Sequence, residues 1–178
     1  TSKLFCRCPS ILRDDSPHYV IKRKLRAMAG ETGEVDVAAA FEAQKSLEFY
    51  YEGYYDTTCL VELDEEPILD INEDAVNIAL EICLLLHCKV EDEVFVMRKI
   101  VIDGSNTSGF QRTALLARDG FIETSKGRVK IVSVCIEEEA AKNIKEEKNQ
   151  RVWRLDRLGI PLVEIMTDAS IVDASHAK

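Results

Sequence analysis

The clearest regular pattern in the chain is an amphipathic segment over residues 73–87. Asn72 precedes it as a candidate N-cap, and acidic residues occupy its first turn, which favours helix initiation. One face of the segment is apolar and is formed by Val76, Ala79, Leu80, Cys83 and Leu84. This spacing predicts a helix over 73–87.

Three weaker patterns predict further helices. Ser16 and Pro17 stand ahead of an apolar series that ends at Gly30, which predicts a capped helix over 16–30. The Ala-rich segment 37–44 predicts a short helix, and so does 112–117.

Other segments have the composition and alternation of strands. Residues 47–51 and 58–63 flank a polar turn and predict a hairpin-like pair. Further strands are predicted at 93–103, at 121–123 and 129–136 on either side of a turn, and at 151–155 and 162–166. Helices that interleave with strands, several of them in hairpins, predict an α/β (α+β) fold: a single domain over 1–178 with a mixed, mainly antiparallel sheet and flanking helices.

The loop over 103–113 carries the densest polar chemistry in the chain. It follows an alternating apolar stretch and brackets small hydrogen-bonding residues between Gly104 and Gly109. Hydroxyls, an amide and unshielded backbone N–H groups at one place suit the binding of a phosphate or another polar substrate. The loop by itself is also compatible with a glycine-rich hairpin turn.

Composition limits the possible functions. The formal net charge is −9, with 32 acidic against 23 basic residues, which argues against a module that grips RNA mainly through its backbone. No apolar run has membrane-spanning length and no signal-peptide pattern occurs, so no membrane partner and a cytoplasmic location are expected. The glycine fingerprints of Rossmann and P-loop nucleotide sites are absent.

The six cysteines show no disulfide-scaffold pattern, so reduced thiols are expected. Cys6 and Cys8 form a C-x-C pair, but no second C-x-x-C or histidine pair completes four zinc ligands. A thiol pair without a metal is therefore the favoured interpretation.

Four blocks of the chain, in order, resemble one known family. They are 2–9 (Ser-Lys-Leu-Phe-Cys-Arg-Cys-Pro), the stretch 98–113 with its polar loop, 135–142 with three consecutive glutamates, and 154–165. Together they resemble the E subunit of archaeal glutamyl-tRNA(Gln) amidotransferase, a relative of the bacterial B subunit. Segments 51–54, 59–67 and 103–113 are similar to the E type rather than the B type. The resemblance covers nearly the whole chain and implies a cradle-type catalytic domain.

The resemblance also implies site residues. Glu137 and Glu138 fall on glutamates that supply carboxylates to a Mg²⁺ ion in the kinase site, and they are the expected catalytic groups. Glu164 is the third expected metal ligand. Contacts to substrate or ATP are expected from Lys99, Ser105, Asn106, Ser108, Phe110, Gln111 and Lys142. The chain departs from the family block at Glu139 (family Asp) and Ala141 (family Gly).

Each of these residues also has a structural interpretation. Three consecutive glutamates are commonly a solvated loop, and Lys99 and Lys142 can be surface lysines. Phe110 can be a core residue beneath the loop rather than a stacking partner for a base. Glu164 can form a structural salt bridge with Arg157.

The implied function is part of a two-step amidation. ATP phosphorylates the γ-carboxylate of glutamate on tRNA(Gln), and ammonia then displaces phosphate to give Gln-tRNA(Gln). The resemblance implies ATP and Mg²⁺ as cofactors, and glutamate-charged tRNA(Gln) and an asparaginase-like D subunit as partners. Neither end of the chain has the character of a natural terminus, so a fragment of a longer protein, inactive in isolation, is expected.

Two alternatives remain from the residues alone. The chain can be a non-catalytic scaffold for the amidase partner and the tRNA acceptor end. It can also be an unrelated acidic α/β protein whose loop is similar to that of the family.

Overall fold

The computed structural model describes residues 1–24, 29–30, 32–44 and 47–178, without the side chains of 42 and 43. The chain forms two compact units. The first comprises 1–72, 98–111 and 138–160, and the second comprises 73–97, 112–137 and 161–178. The α/β class with a mixed, mainly antiparallel sheet is confirmed, whereas the single-domain boundary 1–178 stays a prediction.

A four-stranded sheet organises the first unit. Strands β1 (Tyr19–Lys24), β2 (Glu48–Gly53), β7 (Lys142–Glu146) and β8 (Gln150–Arg154) lie in the order β1-β2-β8-β7. The β2–β8 pair is parallel and its two neighbours are antiparallel. The core cluster of this unit consists of Phe49, Tyr51, Leu63, Ala141, Trp153, Leu155 and Leu158.

The predicted helix over 16–30 is wrong in its first half. Tyr19–Lys24 forms β1, which pairs along its whole length with β2 from Tyr19↔Gly53 to Lys24↔Glu48. The β-branched Val20 and Ile21 suit this extended conformation. The part of the prediction at 25–28 lies outside the described residues.

The predicted strand over 58–63 is also wrong, because the backbone of this segment forms the hydrogen bonds of consecutive turns. The N–H groups of Thr57 and Thr58 donate to Tyr54 O, and the N–H of Glu65 donates to Leu60 O. Cys59 N–H donates to the Glu62 carboxylate at 2.8 Å. The segment therefore forms turns, one of which is closed by the Glu62 carboxylate, and does not pair with a neighbouring strand.

The short helix predicted at 37–44 is confirmed as α1 (Val37–Gln44). The Asp36 carboxylate accepts a hydrogen bond from Ala39 N–H at 2.9 Å, so Asp36 is its N-cap.

A long hairpin dominates the second unit. The strands β5 (Phe110–Thr124) and β6 (Gly127–Glu138) pair antiparallel, with a bulge between Leu115 and Ala117. The sheet has the order β3-β5-β6-β9, with β3 at Lys89–Val90 and β9 at Pro161–Thr167, and β4 (Val96–Ile100) pairs with β5. The helix predicted at 112–117 is wrong because this segment is part of β5.

The amphipathic helix is confirmed as α2 (Glu73–Leu85), with Ala79 and Cys83 buried. His87 follows it with a φ of 55°, the left-handed conformation common just beyond a helix end. Within the described residues, neither α1 nor α2 has the length and apolar character that a membrane-spanning helix requires.

Candidate functional site

A cavity of about 700 Å³ opens in the first unit beside the polar loop predicted from the sequence. Its walls come from β1, from β2, from the turns after Leu63 and from the loop itself. The lining residues are Lys22, Arg23, Lys24, Tyr51, Asp64, Glu65, Asn106, Thr107, Ser108 and Gly109. A volume of this size suits a nucleotide or a comparable small ligand.

The loop is held in shape by its own side chains. Asp103 accepts hydrogen bonds from Ser105 N–H at 2.9 Å and from Ser105 Oγ at 2.6 Å. Ser108 Oγ donates to Phe110 O at 2.9 Å. Two of the predicted ligand-binding hydroxyls are thus used to shape the loop.

Two glycines and one tyrosine fix the entry to the loop. Gly104 and Gly109 have φ values of 85° and 78°, which favour glycine. A Cβ at Gly104 would lie 2.3 Å from a ring atom of Phe49. Tyr51 Oη donates to Gly104 O at 2.8 Å, and burial raises the pKa of Tyr51, so this phenol stays protonated and remains a donor.

Asn106 is a buried polar residue of the loop whose amide no atom of the described residues satisfies. Its side chain is 2% exposed, and within the described part of the chain neither Nδ2 nor Oδ1 has a hydrogen-bond partner. Leaving a buried amide unpaired costs free energy, and such groups are rare unless they serve a purpose. Asn106 is one of the residues that line the cavity, so a ligand that displaced the atoms covering its amide would find both a donor and an acceptor there.

Strand β1 forms another part of the cavity wall, which the sequence did not predict. Lys22, Arg23 and Lys24 are consecutive on β1 and are among the lining residues, but their side chains alternate between the two faces of the sheet. Arg23 is on the face that carries Phe49 and Tyr51, and Lys22 and Lys24 are on the other face. Arg23 pairs with Glu65 at 2.5 Å, and Lys22 pairs with Glu48 at 2.5 Å. The hydrogen bond to Glu48 raises the pKa of Lys22, which keeps its ammonium charged. A basic run in an acidic chain was the available signal, but the helix predicted over 16–30 obscured it.

The loop is bonded to the segment that follows the acidic triplet. Gln111 Nε2 donates to Glu138 O at 2.8 Å, and Ala141 N–H donates to Ser105 O at 2.9 Å. The structure thus brings the loop and Glu138, predicted independently as site residues, into contact within the first unit. Gln111 acts there on the backbone of Glu138.

The triplet itself is not a solvated loop. Glu137 and Glu138 are the last two residues of β6 and are 3% and 5% exposed. Buried carboxylates are costly unless they are hydrogen-bonded, paired with cations or bound to metal. Their oxygens are the ligand type that Mg²⁺ prefers, so the donor chemistry at this strand end fits the predicted ion. Glu139 lies 3.6 Å from the guanidinium of Arg157.

The other predicted residues lie in different settings. Phe110 is buried, with the Arg98 guanidinium 4.7 Å from its ring centre, as the core interpretation expects. Lys99 is exposed on β4, Lys142 is exposed on the edge strand β7, and Glu164 is exposed on β9 in the second unit. Their roles toward ATP or metal stay predictions.

Comparison with known proteins shows which family and which proteins the chain is similar to. A sequence profile described as the GatB/GatE catalytic domain matches residues 1–178. The E subunit of the glutamyl-tRNA(Gln) amidotransferase from Methanocaldococcus jannaschii is 58% identical over 176 residues, which is 99% of this chain and 28% of that protein. The E subunit of the same name from Methanothermobacter thermautotrophicus is 55% identical over 177 residues, 99% of this chain and 29% of that protein. The chain therefore spans less than a third of the length of these relatives.

Proposed function

Because the chain belongs to the GatB/GatE catalytic-domain family, we propose that it is part of the enzyme component that converts Glu-tRNA(Gln) to Gln-tRNA(Gln). The name of its relatives supports this function. Family membership excludes the alternative of an unrelated acidic α/β protein. The proposed partners are glutamate-charged tRNA(Gln) and an asparaginase-like D subunit that supplies ammonia.

The proposed reaction has two steps. A γ-carboxylate oxygen of the esterified glutamate attacks the γ-phosphorus of ATP, ADP leaves, and an acyl phosphate forms. Ammonia then attacks the acyl carbon, and inorganic phosphate leaves with the oxygen it acquired. The first step is needed because a carboxylate is a poor electrophile toward ammonia.

The cavity beside the loop is the proposed binding place for the anionic part of ATP or of the aminoacylated tRNA end. Arg23, on the sheet face that carries Tyr51, is the basic lining residue proposed to bind the anion in exchange for its present partner Glu65, because guanidinium groups bind phosphate strongly. The single observation that carries this proposal is Asn106, whose buried amide has no partner in the described protein. A ligand oxygen at Nδ2 and a ligand hydroxyl or amine at Oδ1 would satisfy it.

Glu137 and Glu138 are the proposed carboxylates of the phosphoryl-transfer centre, with Glu164 as a further candidate. A Mg²⁺ ion bound there would offset the negative charge of the phosphates during transfer. The backbone of Glu138 is fixed by Gln111, so the proposed role of Gln111 is to hold this strand end in place.

The cavity is tested by replacing Asn106 with the isosteric, apolar Leu. We expect Asn106→Leu to weaken binding of ATP or Glu-tRNA(Gln) at least tenfold in the full-length enzyme with its partner, with a melting temperature that is unchanged or higher. Asn77→Leu, at an exposed position of α2, is the matched control. Titrating each ligand separately shows which one occupies the cavity, and unchanged affinity for both would refute the assignment.

The carboxylates are tested by transfer of the γ-phosphoryl group of ATP to Glu-tRNA(Gln). Glu137→Gln and Glu138→Gln should each abolish transfer, while Glu123→Gln, at an exposed position in β5, should not. A wild-type enzyme that binds tRNA and the amidase partner but shows no saturable Mg²⁺-dependent ATP binding would favour the scaffold alternative.

A further inference from the structure

The four-stranded sheet of the first unit has two chemically different faces. Side chains alternate between the faces along each strand, and residues that lie directly opposite each other on neighbouring strands share a face. Phe49, Tyr51 and Trp153 mark the inner face, because they belong to the core cluster. The register of the strands then assigns the paired residues of β1, β2, β7 and β8 to the inner face or to the outer one.

The outer face is basic. Five basic and two acidic side chains lie on it, so it carries three formal positive charges in a chain whose net charge is −9. The basic residues are Lys22, Lys24, Lys142, Lys145 and Arg154, and the acidic residues are Glu48 and Glu52. The charge of the whole chain therefore conceals a local excess of positive charge, and the argument from net charge against an RNA-binding surface does not apply to this face.

The four lysines of this outer face are exposed and lie on β1 and β7, the two edge strands of the sheet. Lys22 pairs with Glu48 at 2.5 Å, and Lys145 pairs with Glu147 at 2.5 Å. Ion pairs at the surface contribute little to stability, so a polyanion can replace the carboxylates at these ammonium groups. The lysines are therefore available to an anionic partner.

An aromatic ring lies between the two edges of the outer face. Tyr50 lies opposite Lys22 on one side and opposite Val152 on the other, and Val152 lies opposite Lys145. The Lys22 ammonium is 5.6 Å from the centre of the Tyr50 ring. Neighbouring strands are about 4.8 Å apart, so this row of four side chains crosses the sheet over roughly 14 Å. A polymer that follows the row meets a cation, an aromatic ring, an apolar side chain and a second cation.

We propose that the outer face of this sheet binds RNA, with the lysines at backbone phosphates and Tyr50 against a base. Lysines that neutralise phosphates gain affinity by releasing counterions. An aromatic side chain on a positively charged surface stacks with unpaired bases, and open four-stranded sheets serve this purpose in RNA-binding domains. The ring favours RNA over an acidic polypeptide, which would use the cations alone. That the RNA is tRNA(Gln) rests on the proposed function, whereas binding of RNA to this face does not.

The outer face is distinct from the polar loop beside the cavity. The loop meets the same sheet on its inner face, where Tyr51 Oη donates to Gly104 O at 2.8 Å and Arg151 Nη1 donates to Asp103 O at 3.2 Å. Arg151 lies opposite Phe49, which places it on the inner face. The outer face therefore supplies a contact to RNA that is separate from the contacts proposed for the reacting end of the substrate.

The test measures binding of uncharged tRNA(Gln) to the full-length enzyme with its partner, without ATP, over a series of salt concentrations. The double variant Lys24→Gln with Lys145→Gln removes one ammonium from each edge of the outer face. We expect it to bind roughly fivefold or more weakly at about 0.1 M salt, with the slope of log K against log salt reduced by about 0.7–0.9 per lysine. Tyr50→Leu should weaken binding by roughly fivefold or more with an unchanged slope, because the ring carries no charge.

Lys89→Gln with Lys130→Gln is the matched control, because it removes two exposed lysines of the second unit and changes the net charge equally. It should leave the affinity and the slope close to those of the wild type. Equal slopes for the two double variants would overturn the proposal. Unchanged tRNA affinity with weakened binding of the amidase partner would also overturn it, and would assign the outer face to an acidic protein surface.

The outcome is independent of the proposed reaction, because binding of uncharged tRNA requires neither ATP nor turnover. An enzyme that shows the expected slopes but does not phosphorylate Glu-tRNA(Gln) would refute the proposed function and support RNA binding by the outer face. An enzyme that phosphorylates Glu-tRNA(Gln) but shows equal slopes for the two double variants would do the reverse.

Discussion

The phenolic oxygen of Tyr51 donates a hydrogen bond of 2.8 Å to the carbonyl oxygen of Gly104. The tyrosine is a core residue on β2 and is 3% exposed. Gly104 opens the polar loop that lines the cavity. The hydrogen bond therefore joins the rigid sheet of the first unit to the segment proposed to bind substrate.

Tyr51→Phe removes this donor and leaves the buried carbonyl of Gly104 unsatisfied. We expect the free energy of unfolding to fall by about 1–3 kcal/mol, measured by denaturant titration. Tyr50→Phe is the control, because Tyr50 is half-buried and donates at 3.1 Å to the Glu48 side chain near the surface. Equal losses for the two variants would show that the bond to Gly104 contributes nothing specific.

Gly104→Ala tests the close approach of the loop to the core. The added Cβ would meet the Phe49 ring at 2.3 Å and would also strain a residue whose φ is 85°. Gly33→Ala is a matched control for strain alone, since Gly33 has a φ of 81° and nothing within 4 Å of its built Cβ. We expect Gly33→Ala to cost about 1 kcal/mol and Gly104→Ala clearly more, with the difference reporting the Phe49 contact. Similar melting temperatures for both variants would contradict this.

The parts of the fold that were predictable are those fixed by local pattern. α2 carries its apolar stripe and its acidic first turn within one segment, and the 121–136 hairpin carries alternation on both sides of a turn. Residues 112–117 contain Ala, Leu and Arg, which favour a helix locally, but they form part of β5. The long ladder between β5 and β6 overrides that propensity.

The candidate site also has parts that the sequence predicts and parts that only the folded structure brings together. The polar loop with Asn106 is visible in the sequence because its chemistry is unusual for a core, whereas Glu137 and Glu138 follow from the resemblance to the family and not from composition. The basic run at Lys22, Arg23 and Lys24 is visible in the sequence, but its place beside the cavity was not predictable, because it follows only from the pairing of β1 with β2. The buried ion pair of Glu62 with Lys3 was not predictable for a similar reason, since Lys3 and the other partner, Cys6, are distant from Glu62 in the chain.

Ser105→Ala distinguishes a loop-shaping residue from a ligand-binding one. Ser105 Oγ donates to Asp103 at 2.6 Å, so its loss should lower the unfolding free energy by about 1 kcal/mol. Asn106→Leu, in contrast, removes an amide without a described partner and should leave stability unchanged or raise it. Denaturant titrations of the two single variants check this, and a larger loss for Asn106→Leu would argue that its amide is satisfied.

Lys3→Met breaks a buried ion pair, because the side chains of Lys3 and Glu62 are 0% and 3% exposed. Removing one partner of such a pair leaves an uncompensated buried charge, so we expect the free energy of unfolding to fall by about 3–5 kcal/mol. Lys126→Met is the control: Lys126 pairs with Asp173 at 2.8 Å, but both side chains are exposed, and little change is expected. Stabilities that fall equally would show that burial does not govern the Lys3 pair.

Asp15 provides the test of pH dependence. The guanidinium of Arg13 donates to both carboxylate oxygens, at 2.8 and 2.7 Å, and lowers the pKa of Asp15 from its ordinary 3.8 to about 2. Because the pKa is lower in the folded protein, the charged form stabilises the fold above pH 3.8. That contribution disappears as the pH falls toward 2.

Asp15→Asn should therefore be less stable than the wild type near neutral pH, and the difference should shrink between pH 4 and about pH 2. The effect should be small and should weaken with added salt, because Asp15 is on the surface. Asp14→Asn, which changes the neighbouring exposed carboxylate, controls for net charge. An NMR titration gives the pKa of Asp15 directly, and a value near 3.8 would show that the Arg13 pair does not persist in solution.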